Sequence, residues 1–332
     1  MVTPSPLCLT MGEPAGIGGE IALKAWSMRA MTPVAPFFLI DDPARLERLA
    51  RAIGLTIPIV SIAAPAEALR VFASALPVLP IGCSVQARPG HPDTGNAAAV
   101  IDSIEQAYRL VSAREAAAMV TNPIQKSTLY AAGFDYPGHT EFLAALAKSE
   151  TPPVMMLVIP GLRVVPVTVH ESLKAALAGL TSEAIVVKAR IAAQELRSRF
   201  GIAHPRLAIA AVNPHAGEYG TLGREEIDIV APAIAALRAE GWDVSGPRSP
   251  DAMFHAAARA TYDVAICQYH DQALIPLKTL DYDHGVNVTL GLPFIRTSPD
   301  HGTALDIAGT GTASPQSLIA ALNLAGQLAH SG

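Results

Sequence analysis

Val264-Ala-Ile-Cys-Gln-Tyr-His270 is an apolar, β-prone run that stops on a histidine, and two other stretches repeat the pattern. Val164–His170 reads VVPVTVH, and Leu207–His215 reads LAIAAVNPH. A continuous apolar run of this length suits a strand buried on both faces, as parallel strands are in α/β proteins. In open α/β sheets the ligand crevice lies beyond the carboxyl ends of the strands. Three imidazoles carried to that edge, His170, His215 and His270, have the chemistry of a metal site with an open coordination position. A single strand-end histidine is more often a hydrogen-bonded bystander. The repetition makes the set a candidate.

The same alternation continues outward from these runs. Strands are expected at Leu7–Met11, Val34–Ile40, Met119–Thr121, Val154–Ile159, Val164–Val169, Leu207–Val212, Val264–Gln268 and Val286–Leu290. A helix over Asn96–Ala118 would set Val100, Ile101, Ile104, Ala107, Tyr108 and Val111 on one face. Another, Thr181–Phe200, opens on a Thr-Ser cap and ends before Gly201. A third, Gly223–Glu240, contains Pro232, which should kink or split it. Strands alternating with helices imply an α/β fold with a mainly parallel sheet.

At 332 residues the chain is about twice the size of a typical domain, so two domains are expected. Half the residues are hydrophobic and 16% are charged, enough for substantial cores and too apolar for disorder. A net charge of −5 offers no nucleic-acid footprint, and an anionic substrate would have to be gripped by a few local cations. Cys8, Cys83 and Cys267 lack C-x-x-C spacing and read as small core hydrophobes in a reducing compartment. The start of the chain lacks a cationic segment followed by a long apolar one, and no run of 18 apolar residues occurs. Neither a signal peptide nor a membrane span is expected, and the reading is a soluble cytoplasmic protein.

Three motifs carry further chemistry. Met11–Glu20, MGEPAGIGGE, has the setting of a dinucleotide fingerprint but the wrong spacing, since Ile21 stands where G-x-G-x-x-G needs its third glycine. It is either a tight strand-to-helix turn or a loop whose N–H groups face a ligand. Gly138-His-Thr-Glu-Phe142 suits a turn into a helix capped by Thr140, whose free N–H groups, with His139 and Thr140, could meet an anion. Between Tyr269 and Gly309, polar residues crowd a glycine-rich stretch. Arg296 offers a planar fork for phosphate or carboxylate, and Lys278 a point charge. Asp271, beside His270, or Asp251 could accept the second ring N–H of a ligand histidine.

GEPAGIG, GHTEF, NPHAGE, YHDQ, VNVTLGLPFIRTS and DHGTALDIAG follow one another along nearly the whole chain. This ordered set closely resembles the 4-hydroxythreonine-4-phosphate dehydrogenase family of vitamin B6 biosynthesis. The resemblance implies two α/β/α domains of the isocitrate/isopropylmalate dehydrogenase type, with the active site in the interdomain cleft. It also implies a homodimer with that site near the subunit interface. Residues 1–125 with 296–332 would form the nucleotide side, and 126–295 the metal and substrate side. The family's metal ligands fall on His170, His215 and His270, and its substrate contacts on His139, Thr140, Lys278, Asn287 and Arg296. DHGTALDIAG, with His301, Gly302 and Asp306, looks like the adenosine-binding loop.

The implied reaction is oxidation of 4-phosphooxy-L-threonine at C3 by NAD or NADP, aided by a divalent metal such as Zn, Mg or Co. The β-keto acid product then loses CO₂ to give 3-amino-2-oxopropyl phosphate. Lys278, Asp271 and Asp251 are the catalytic candidates, with a relayed water as another proton acceptor. Two positions depart from common family usage: Ala252, where Thr is frequent, and Gly19, where Pro is. The alternatives are a paralogous dehydrogenase of D-threonate or D-erythronate 4-phosphate, acyl transfer like that of phosphate acetyltransferases, and a structural dimer without catalysis.

Overall fold

The computed structural model describes residues 5–331, with side chains through residue 330. The chain forms two compact units: the residues up to Pro153 together with Leu292–His330, and Val154–Gly291. In chain order the first unit contributes β1 (Leu7–Thr10), β2 (Phe37–Asp41), β3 (Ile59–Ser61), β4 (Leu76–Pro80) and β5 (Met119–Val120). The second contributes β6 (Val154–Ile159), β7 (Leu162–Pro166), β8 (Arg206–Ala210), β9 (Asp243–Arg248), β10 (Val264–Cys267) and β11 (Val286–Leu290). The chain then returns to the first unit as β12 (Arg296–Pro299).

Within the first unit the strand order is β3-β4-β2-β1-β5-β12, all parallel. Every residue of β1 and β2 is buried, as expected for parallel strands covered on both faces. The helix Ala97–Ser112 buries Val100, Ile104, Ala107 and Val111 of the expected face, while Ile101 and Tyr108 at its margin are only half-buried. It is shorter than expected because Arg114 turns left-handed (φ 60°) and leads the chain into β5.

The second unit has the order β11-β6-β7-β10-β8-β9. β6 and β7 form an antiparallel hairpin whose turn needs the positive φ of Gly161. β7, β10, β8 and β9 run parallel, so their carboxyl ends share one edge. Its core gathers Leu157, Val164, Ala208, Ala265, Cys267 and Leu277.

The unit boundaries at 153/154 and 291/292 lie away from the positions 125/126 and 295/296 expected from the sequence. The physical reason is burial. Leu129, Phe134, Phe142, Leu143, Leu292 and Phe294 all pack into the first unit's core. Each such side chain is worth about 1.5–3 kcal/mol where it is fully buried, so the flanking segments follow them. β4 and β9 escaped the sequence reading because prolines interrupt them, β12 because RTSP holds no apolar run, and β3 because it is only three residues long and mostly exposed. Pro232 does not split its helix: helical backbone runs unbroken from residue 225 to 239, with a π-helical turn just before the proline. Glu226–Val230 is π-helical, the Ala231 N–H reaches back to the Glu226 carbonyl, and α-helix resumes over Ala231–Ala239. Proline falls in that first turn, where its missing N–H is harmless.

Cys8 and Cys267 are buried, but Cys83 is exposed, contrary to the expectation of three core thiols. Burial pushes the Cys8 thiol up to about 12. Among the described residues no helix is long and apolar enough to cross a membrane.

Candidate functional site

The shared edge of β7, β10 and β8 carries His170, His270 and His215. Pro166 pairs with Cys267, and pairing persists beyond the strands: Val167 N donates to the Cys267 carbonyl at 2.7 Å, and Thr168 Oγ1 to the Gln268 carbonyl at 2.9 Å. His170 lies four residues past Pro166 and His270 three past Cys267, so both emerge at nearly the same level. Their ring centres stand 5.8 Å apart. Two imidazoles on one tetrahedral ion, with nitrogens about 2.1 Å from it, have centres about 5–6 Å apart, so the pair fits a divalent cation. His270 and Asp271 begin the helix His270–Leu280, and His270 Nδ1 meets Asp271 Oδ1 at 2.7 Å. That contact leaves Nε2 as the ring's donor toward a metal. A cavity of about 440 Å³ opens here, lined by His170, Glu171, Ser172, Tyr269, His270 and Asp271.

His215 is not in that pair's group. Among the described residues no three His, Cys, Asp or Glu side chains stand close enough to share a metal ion. The loop that bears His215 is left-handed throughout, with φ of 51°, 55°, 77°, 41° and 58° from His215 to Tyr219. Each non-glycine residue in this region costs about 1–2 kcal/mol. The buried Glu226 carboxylate offsets that cost by accepting from Val212 N and Asn213 N, both at 2.7 Å, and from Asn213 Nδ2 at 2.9 Å. Hydrogen bonds to a charged group contribute about 1.5–3 kcal/mol each, enough to hold a strained loop.

Asp251 follows β9 on the same edge and feels His215 electrostatically. Its carboxyl is held below the usual range, first by Ser249 Oγ donating to Oδ1 at 2.6 Å and then by His215. Asp251 and Asp271 both line a second cavity of about 490 Å³. Gln268 and Gln272 lace the β10 end to β8, donating to the Ala210 and Ala211 carbonyls at 2.7 Å.

A different polar group occupies the first unit. Arg296 is buried, and its Nε and Nη2 both donate to Thr121 Oγ1, at 3.1 and 2.6 Å. Burial draws its pKa down to about 10, against the opposing pull of Glu141, so the guanidinium stays charged at neutral pH. His139 begins the helix His139–Ala147. The residue before it, Gly138, is the N-cap, and no side chain caps the end. Thr140 is therefore not the cap that the sequence suggested. The Nε2 of His139 is shut from solvent without a hydrogen-bond partner. Burial, then Arg296 and Lys126, holds its pKa well below the usual imidazole value.

Lys278 lies on the helix His270–Leu280, its Nζ 5.6 Å from the Tyr282 ring centre, and Asn287 lies half-buried on β11. In the final irregular segment, His301 Nδ1 meets the Gly302 carbonyl at 3.0 Å, and Asp306 is exposed. The Met11–Glu20 turn spends its N–H groups within the protein: Glu13 N on Pro123 O, Ala15 N on Glu13 Oε1, Gly16 N on Glu13 O and Ile17 N on Thr303 O. It is a packing turn. A Cβ on Gly12 (φ 69°) would stand 2.7 Å from the Pro123 carbonyl oxygen. Glu226, Lys126 and Thr121 were missed by sequence reasoning. Each acts through residues distant in the chain; Lys126 and Glu226 both stand at helix starts, which by itself does not mark a role.

These features define an α/β protein of the small-molecule enzyme class, with a strand-end histidine pair backed by a carboxylate. Residues 33–325 match the family described as "Pyridoxal phosphate biosynthetic protein PdxA", and the chain belongs to that family. It is 57% identical over 331 residues to a 4-hydroxythreonine-4-phosphate dehydrogenase of Methylorubrum populi, covering 98% of this chain and 95% of the relative. A protein of the same name from Bradyrhizobium diazoefficiens is 56% identical over 335 residues, covering 98% and 97%. The crystal structure of 4-hydroxythreonine-4-phosphate dehydrogenase from Klebsiella pneumoniae is similar with a TM-score of 0.89 and 41% identity, covering 98% of this chain and 99% of that one.

Proposed function

We propose that the chain is a dehydrogenase of pyridoxal 5'-phosphate biosynthesis. It oxidises the C3 hydroxyl of 4-phosphooxy-L-threonine to give 2-amino-3-oxo-4-phosphooxybutanoate, which loses CO₂ to form 3-amino-2-oxopropyl phosphate. The observation that carries this reading is the His170–His270 pair, backed by Asp271, in a chain of the PdxA family. The third imidazole, His215, on the same strand edge, would complete the donor set. These residues would hold a divalent cation (Zn, Mg or Co), whose charge eases loss of the alcohol proton. NAD or NADP, bound against His301, Gly302 and Asp306, supplies the two-electron acceptor.

The chain's own residues do the rest. Asp271 is committed to His270 Nδ1 and acts as an orienting carboxylate, and Asp251 plays the same part toward His215. Lys278 is left as the group that takes the proton. His139, Thr140, Arg296 and Asn287 position the phosphorylated substrate. A second copy of this chain is the proposed partner in a homodimer. Exposed apolar residues around the histidine edge, Leu173, Tyr219 and Ile275, favour that reading.

The test is turnover with purified, metal-loaded enzyme, read as absorbance of reduced nicotinamide. 4-Phosphooxy-L-threonine should be oxidised at least about tenfold more efficiently than D-threonate or D-erythronate 4-phosphate. The reverse preference would install the sugar-acid phosphate reading. Acyl transfer to phosphate without nicotinamide reduction would install the transferase.

A further inference from the structure

Lys126 stands outside the set of residues that the family resemblance marks, yet the fold carries it to the His139–Arg296 cluster. It opens the helix Lys126–Ala131, while His139 opens the helix His139–Ala147. The two helix starts meet at Gly138. A methyl in place of the Gly138 hydrogen would stand 3.4 Å from Lys126 Cε and 3.7 Å from Nζ, and 3.6 Å from Glu141 Oε2. Lys126 acts electrostatically on His139, as does the buried Arg296. The described residues give the Lys126 ammonium no carboxylate or carbonyl within bonding reach.

Two cations and the positive end of a nine-residue helix therefore converge, and one carboxylate, Glu141, opposes them. Like charges brought together repel. The arrangement is stable when an anion of more than one charge sits among them. A carboxylate carries one charge, but a phosphate monoester carries about two and offers three acceptor oxygens, which matches an ammonium, a guanidinium and a ring N–H. The buried, unpartnered His139 Nε2 supplies the third donor.

We propose that Lys126, with His139 and Arg296, forms the subsite for the phosphate end of the substrate, and that Lys126 is the residue that makes the enzyme demand a phosphorylated alcohol. The inference rests on the dehydrogenase reading only for the identity of the substrate. The anion site stands on the geometry of the first unit.

Two measurements on the full chain test it, using Lys126→Met and Lys126→Arg. In calorimetric titration with inorganic phosphate, Lys126→Met should bind about tenfold or more weakly than wild type, and Lys126→Arg should retain most of the affinity. The ratio of kcat/KM for 4-phosphooxy-L-threonine to that for unphosphorylated 4-hydroxythreonine should fall by a similar factor in Lys126→Met. A merely structural lesion would lower both values and leave the ratio unchanged. Phosphate affinity in Lys126→Met equal to wild type, or no phosphate binding by wild type, overturns the proposal. An unchanged ratio in an active Lys126→Met enzyme overturns it while leaving the dehydrogenase reading intact. Weakened phosphate binding, together with a wild type that oxidises no phosphorylated alcohol, upholds the anion site and ends that reading.

Discussion

The two histidine environments of this protein are built on opposite principles. On the β7–β10–β8 edge, His170 and His215 are exposed on left-handed backbone, and His270 is tied to a solvent-facing carboxylate. In the first unit, the His139 Nε2 is sealed and the Arg296 beside it is almost fully buried. The first region holds its exposed imidazoles on strained backbone. The second spends desolvation to keep a cation and a neutral imidazole ready for an anion. The first region is exposed to water, whereas a cradle for an anion gains strength from being dry.

The largest effect expected from disturbing this contrast is at His215. His215→Ala should lower kcat on the order of 10³-fold or more and strip the metal measured by elemental analysis after dialysis. Near-normal turnover in the presence of a chelator would remove the histidine edge from the chemistry. Next in size is Arg296→Met, which should reduce kcat/KM by about 10- to 150-fold, mostly through KM, with metal content unchanged. Loss of metal in that variant would mean that the two regions are not separable. Asp271→Asn should weaken metal binding by about 10- to 100-fold through loss of the carboxylate that orients His270, with little change in the phosphate affinity of the enzyme.

The smallest effect sharpens the electrostatic half of the comparison. The folded-state pKa of His139 is depressed, so between that value and the unfolded value of about 6.5 the unfolded chain binds the extra proton. Stability from this residue is fully present above the unfolded pKa and is lost as pH falls toward the folded one. Urea denaturation between pH 7 and pH 5 should show a steeper loss for wild type than for His139→Gln. Parallel curves would mean that His139 is solvated and titrates normally.

Legibility in the sequence followed the same division. The apolar runs before His170, His215 and His270 announced buried parallel strands, and their shared edge followed from topology rules that need no coordinates. The placement of β4, β9 and β12 was illegible, because proline and polar residues hide strands whose burial is decided by neighbours. His139 and Arg296 were nameable from GHTEF and FIRTS, but their burial against Thr121 and Lys126 arises from segments far apart in the chain. Glu226 shows the limit most plainly. A glutamate at a helix start looks like a solvated charge, and only the fold reveals that it holds the loop of His215.

The central claim is that His170 and His270, already paired at the strand edge, take hold of one divalent cation together with His215. Anomalous diffraction from crystals grown with Co²⁺ or Zn²⁺ tests it most directly. One ion should appear with a nitrogen from each of the three rings at about 2.0–2.2 Å. An ion bound without His215, or bound away from the His170–His270 pair, would contradict the claim.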